Sequence, residues 1–90
     1  MILDKKIIFS DTVYTQEIDG EMVLLDMVSE SYFGLDSIGS EIWQLLYNGK
    51  TIRQVQDTLL ELYDAEPEVL KNDFQKFMLK LLDSGLVKVE

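Results

Sequence analysis

The chain has 90 residues, 47% of them apolar and 28% charged, with one proline, no cysteine and no histidine. That length allows one small domain with a single core, and the composition predicts order throughout apart from the first few residues. Seventeen acidic against eight basic residues give a net charge of −9, which sets the chain against partners that present a row of phosphates and favours a neutral or basic one, beyond keeping the surface solvated.

Without histidine or cysteine the commonest general base, the thiol nucleophile, the disulfide and the thiolate metal site are all missing. No apolar run reaches the roughly 20 residues that a bilayer-spanning helix needs. Met1, Ile2 and Leu3 are followed at once by Asp4, Lys5 and Lys6, too short an apolar stretch for a signal peptide. The expectation is a cytoplasmic protein with no membrane association.

Ile7, Ile8 and Phe9 are apolar, but three residues are too few to define a strand. Val13 to Ile18 favours β structure and meets Asp19-Gly20, after which Met22 to Val28 is apolar again, the pattern of a hairpin. Placing Asp26 toward water puts Met22 and Leu24 outside and turns Val23, Leu25 and Met27 toward the core. A turn at Ser29-Glu30 then leads into Ser31, Tyr32, Phe33, Gly34 and Leu35, a strand with Phe33 and Leu35 on one face and Tyr32 and Gly34 on the other. Three antiparallel strands result.

From Ser37 the period changes. Ile38, Ile42, Leu45 and Leu46 recur at helical spacing beside Trp43, and Asn48-Gly49 stops the helix. Thr51 and Gln54 have the spacing of a capping box, and Ile52, Val55, Leu59, Leu62 and Tyr63 line one side of a second helix ending near Asp64. Pro67 opens a third helix, which runs to Ser84-Gly85. On it Leu70, Phe74, Phe77, Met78 and Leu81 form a stripe that Leu79 and Leu82 widen to about half the circumference. The extra apolar edge calls for a cover, either from the chain termini or from a partner. Leu86 to Val89 alternates and is a candidate short strand.

Asp64, Glu66 and Glu68 gather at a helix start, where the dipole favours negative charge. Gly34 and Gly39 lack the Lys-Ser/Thr of a phosphate loop, and the acidic run lacks the glycine and terminal glutamate of a calcium loop. No enzyme, cofactor or metal site is expected.

Leu24-Leu25-Asp26, Tyr32-Phe33-Gly34-Leu35-Asp36, Ile42-Trp43-Gln44-Leu45-Leu46, Asn48-Gly49-Lys50-Thr51-Ile52 and the closing Phe74-Gln75-Lys76-Phe77 through Leu81 to Ser84-Gly85-Leu86-Val87 resemble, in order and separation, the PqqD-like family. The resemblance covers about residues 12–88, and it implies an α+β fold, a permuted winged helix-turn-helix with a three-stranded antiparallel sheet followed by three helices, over a single domain of residues 1–90. It implies binding of the leader segment of a ribosomally made precursor peptide by strand addition to the sheet edge and packing on helix three. Carried to this chain, the peptide-binding residues are Ser31, Tyr32, Phe33, Gly34 and Leu35 on the edge strand and Met78, Leu79 and Leu82 on helix three, with Phe74, Phe77 and Leu81 in the core. The resemblance favours the discrete element of lasso-peptide pathways, a monomer or weak homodimer that delivers the precursor to a leader peptidase and a macrocyclase. The relative in pyrroloquinoline quinone synthesis instead serves a radical enzyme.

Two other readings compete. A winged-helix fold also suits nucleic-acid regulators, but the cations of helix three, Lys71, Lys76 and Lys80, stand among Asp73 and Asp83, so no nucleic-acid partner is expected. A permanent subunit of an enzyme complex would be poorly soluble or oligomeric alone.

Overall fold

At Asp19 and Gly20 the backbone takes positive φ angles of 53° and 84°, the two-residue turn whose twist matches that of the strands it joins. The computed structural model, which describes residues 5–89, places strand β2 (Val13–Ile18) before this turn and β3 (Glu21–Asp26) after it. Residues 1–4 and 90, including the start of the chain expected to lack order, lie outside the described part. A second turn, with Glu30 at φ 58°, leads to β4 (Ser31–Gly34). The antiparallel order is β2-β3-β4, with Val23 opposite Gly34 and Leu24 opposite Phe33.

Three helices follow: α1 (Ser37–Tyr47), α2 (Ile52–Leu62) and α3 (Pro67–Asp83). This is the expected α+β order of sheet first and helices after. Asp36 caps α1 by accepting the Gly39 N–H at 2.7 Å, and the capping box of α2 forms as read, with Thr51 Oγ1 accepting the Gln54 N–H and Gln54 Oε1 accepting the Thr51 N–H. Pro67 occupies the first turn of α3 and Glu68 complements its dipole.

Ile7–Phe9 is a strand after all, β1, and it pairs antiparallel with β5 (Val87–Val89) in a separate two-stranded ribbon. Such short strands hold because they are buried as well as paired. Ile7 and Val87 belong to the core, and the Phe9 ring lies edge-on to Trp43 at 4.8 Å and to Tyr47 at 5.2 Å. Strand β5 packs against α3, so the ribbon covers part of the apolar edge that called for a cover, and Leu82 borders the cleft left between them with Ile8, Phe9 and Val87.

The facing of β3 is the reverse of the sequence expectation. Met22 and Leu24 point inward, Leu24 fully buried, while Val23 and Leu25 are half-buried on the outer face and Met27 is exposed in the turn. Asp26 shares the inner face with Leu24, but it ends the strand, and its carboxylate is fully engaged there. Oδ1 accepts the Thr12 hydroxyl at 3.0 Å and the Val28 N–H at 3.2 Å, and Oδ2 accepts the Ser29 hydroxyl at 3.0 Å. An acid so held need not face open water, and it no longer reports which face is wet.

The Val28 N–H first, then the Ser29 and Thr12 hydroxyls, hold the Asp26 carboxyl below its ordinary value of 3.8. A carboxyl whose folded pKa is depressed contributes stability above the unfolded pKa and loses it as pH falls through the folded one. Carboxylate NMR should therefore place the Asp26 midpoint below 3.8, and Asp26→Asn should flatten the acid side of the stability–pH curve.

Ser40, in α1, is the one buried polar residue of the core among the described residues, and its hydroxyl accepts the Met22 N–H at 2.8 Å while donating to the Leu35 carbonyl at 3.3 Å. Ser40→Ala should leave both groups without a partner and cost about 1–3 kcal/mol in urea unfolding.

Candidate functional site

In an antiparallel ladder, successive residues point their N–H and C=O groups alternately toward one neighbour and the other. Leu35 donates its N–H to the Met22 carbonyl at 2.9 Å, so Phe33, two residues earlier, also faces β3. Tyr32 and Gly34 then direct their backbone groups away from β3. Since β4 ends the sheet, these groups lie along a free edge, open to another strand.

Where β4 leads through Leu35 and Asp36 into α1, a cleft of about 290 Å³ opens between the start of α1 and α3. Ile38, Ile42 and Phe77 form its apolar lining, and Asp36, Asp73 and Lys76 supply charge. Gly39 lets the two helices approach here, because a Cβ at that position would stand 3.2 Å from the Phe77 ring and 3.1 Å from Asp36 Oδ1. The cleft lining mixes apolar carbon with charges of both signs in nearly equal measure, which suits an extended peptide carrying both apolar and polar side chains.

The expected edge residues fall as follows. Ser31 and Phe33 are half-buried, Tyr32 and Gly34 exposed, and Leu35 buried; Phe33 and Leu35 share one face as read, and it is the inner one. The expected helix residues disperse. Met78 is buried in the core, Leu79 is 59% exposed, and Leu82 faces the β1–β5 ribbon. From α3 it is Asp73, Lys76 and Phe77 that line the cleft beside β4. Phe77, read as core, is half-buried and serves both purposes, packing against the core while forming a wall of the cleft. The clue was its position at the margin of the buried stripe of Leu70, Phe74, Met78 and Leu81, with Asp73 one turn earlier on the same flank.

Trp43 is buried in the core, and among the described residues its Nε1 has no hydrogen-bond partner. Among the described residues no group of His, Cys, Asp or Glu is arranged to hold a metal ion, and no helix is long and apolar enough to cross a membrane.

A three-stranded antiparallel sheet placed before three helices, with the outer side of β4 unpaired beside the cleft, defines an α+β fold of the permuted winged-helix kind. The sequence profile described as coenzyme PQQ synthesis protein D (PqqD) matches residues 21–87, and the chain belongs to this family. Among solved structures it is similar to TbiB1 in complex with the TbiA(beta) leader peptide, at 34% identity and a TM-score of 0.84 over 90% of this chain and 94% of that one. It also shares the fold of lasso peptide synthetase B1 complexed with the leader peptide, at 24% identity and a TM-score of 0.83 over 92% of this chain and 98% of that one. Comparison with curated protein sequences gives no match.

The cleft wall and the exposed flank of α3 should respond differently to substitution. Phe77→Ala should cost about 1–3 kcal/mol in urea unfolding, below the figure for a fully buried ring, whereas Leu79→Asp should stay within about 0.5 kcal/mol of the parent.

Proposed function

We propose that the protein binds the leader segment of a ribosomally made precursor peptide as a fourth strand on the free edge of β4. Side chains of the bound segment reach the cleft formed by Ile38, Ile42 and Phe77. The observation that carries this reading is the outward set of the Tyr32 and Gly34 backbone groups beside that cleft, in a chain 34% identical to a protein whose structure holds a leader peptide. Main-chain pairing supplies general affinity and the cleft supplies selectivity.

The protein carries out no chemistry in this scheme. It delivers the precursor to modifying enzymes, such as a leader peptidase and a macrocyclase in lasso-peptide biosynthesis, by raising the substrate's effective concentration at their sites. The setting is the cytoplasm, where precursors are made. The family description supports a second reading, a peptide chaperone for a radical enzyme in pyrroloquinoline quinone synthesis; the precursor whose leader binds separates the two.

Calorimetric titration with the leader peptide of the precursor encoded beside this protein should give saturable one-to-one binding. Affinity should fall as salt rises if the leader is basic, because the protein carries a net charge of −9. Gly34→Pro removes an N–H that faces the open edge and none that pairs with β3, so it should fold with stability within about 1 kcal/mol of the parent. Its affinity for the leader should drop about tenfold or more. Unchanged affinity in the folded variant, or no binding by the parent at high micromolar peptide, would sink the proposal.

A further inference from the structure

Residues paired across an antiparallel sheet share a face. The register therefore sets Tyr14, Leu25 and Tyr32 in one row across the outer surface, the side turned away from the helices. Tyr14 and Tyr32 are 64% and 73% exposed, and Met27 and Val28, in the adjoining turn, are 53% and 75% exposed. At the other end of the sheet lies an open recess of about 450 Å³, bordered by Ile18, Val23 and the acids Asp19, Glu21 and Asp36. Gly34 helps keep it open, since nothing lies within 4 Å of the place its Cβ would take.

The charged residues that border the recess, Asp19, Glu21 and Asp36, are all acidic. From Ile7 to Gly49 the sequence contains eight acidic residues and neither lysine nor arginine. Two copies of such a face repel each other, and an anionic membrane repels it as well. An apolar row ending in an acidic recess fits instead a protein surface whose apolar patch is rimmed by lysine and arginine.

Tyr32 connects this surface to the peptide site. It belongs to the strand whose edge receives the peptide, and an added strand extends the sheet so that every second side chain of the peptide joins the outer surface next to Tyr32. We infer that the outer face of the sheet is the docking surface for the enzyme that acts on the bound peptide, an enzyme presenting a basic-rimmed apolar patch, and that the peptide's outward side chains complete this surface. The role given to β4 rests on the peptide-binding reading; the docking face is tested apart from it.

The test titrates the purified leader peptidase encoded beside the precursor into this protein alone and into the protein saturated with leader peptide. Saturable binding is expected in both states, tighter with the peptide and weaker at high salt. Tyr14→Lys and Glu21→Lys alter the outer face away from the free edge of β4. Both should keep leader affinity within about twofold of the parent while lowering peptidase affinity about tenfold or more. Absence of peptidase binding to the parent in both states, or unchanged peptidase affinity in both variants, overturns the inference. So does a homodimer in sedimentation that Tyr14→Lys dissociates, which would assign the face to a second copy. A parent that fails to bind leader peptide counts against the preceding proposal, while the peptidase titration without peptide still decides the docking face.

Discussion

The hydroxyl of Ser40 joins the sheet to the helices, and the position of the β4 edge depends on it. The β3–β4 ladder reaches Met22 and Leu35, where the Met22 carbonyl still takes the Leu35 N–H. The complementary pair, the Met22 N–H and the Leu35 carbonyl, is bridged by Ser40 from one turn inside α1. A helical serine ordinarily bonds back to its own helix or to water. Here the strand offers it both an acceptor and a donor in a buried place, where leaving either unmet is costly. Leu35 links β4 to Asp36, and Asp36 caps the same helix through Gly39. Strand end, cap and helix start are thus held as one body.

That body explains why the cleft sits where it does. Gly39 follows from the need to seat α1 against the Phe77 ring, and Ile38 and Ile42 follow from the helical repeat that starts at the cap. The edge of β4 and the cleft are therefore set at a fixed mutual position before any ligand arrives. An edge fixed in advance spares a bound strand much of the ordering cost that a mobile one would impose. On the proposed reading, capacity for binding arises here from backbone geometry, which suits a chain without histidine or cysteine.

Much of this was legible in the residues, and the parts that were not have identifiable causes. Asp19-Gly20, the Thr51 and Gln54 capping box and Pro67 each act within a few residues, so local chemistry located the hairpin and the helix starts. The facing of β3 was misjudged because Asp26 was taken as a marker of the solvent face. Two of its partners, Val28 and Ser29, lie two and three residues on in the following turn, while the third, Thr12, is 14 residues away and reaches the carboxylate only in the folded chain. The β1–β5 ribbon pairs opposite ends of the chain, a contact no local pattern announces. For α3, the helical repeat identified the buried stripe, but not which of its margins meets the edge strand; Leu82 lies toward the ribbon and Phe77 toward the cleft. Sequence periodicity defines a helix's buried face without naming the neighbours of its two flanks.

The alternation of backbone groups along β4 carries one further implication. A strand seated beside Tyr32 and Gly34 would show this protein only every second side chain, the rest facing outward. Main-chain pairing is indifferent to sequence, so selectivity would rest on the few residues that enter a cleft of about 290 Å³. Such a reader has a small vocabulary. It would tolerate wide variation in the remainder of its ligand, leaving those outward positions free to carry instructions for another protein.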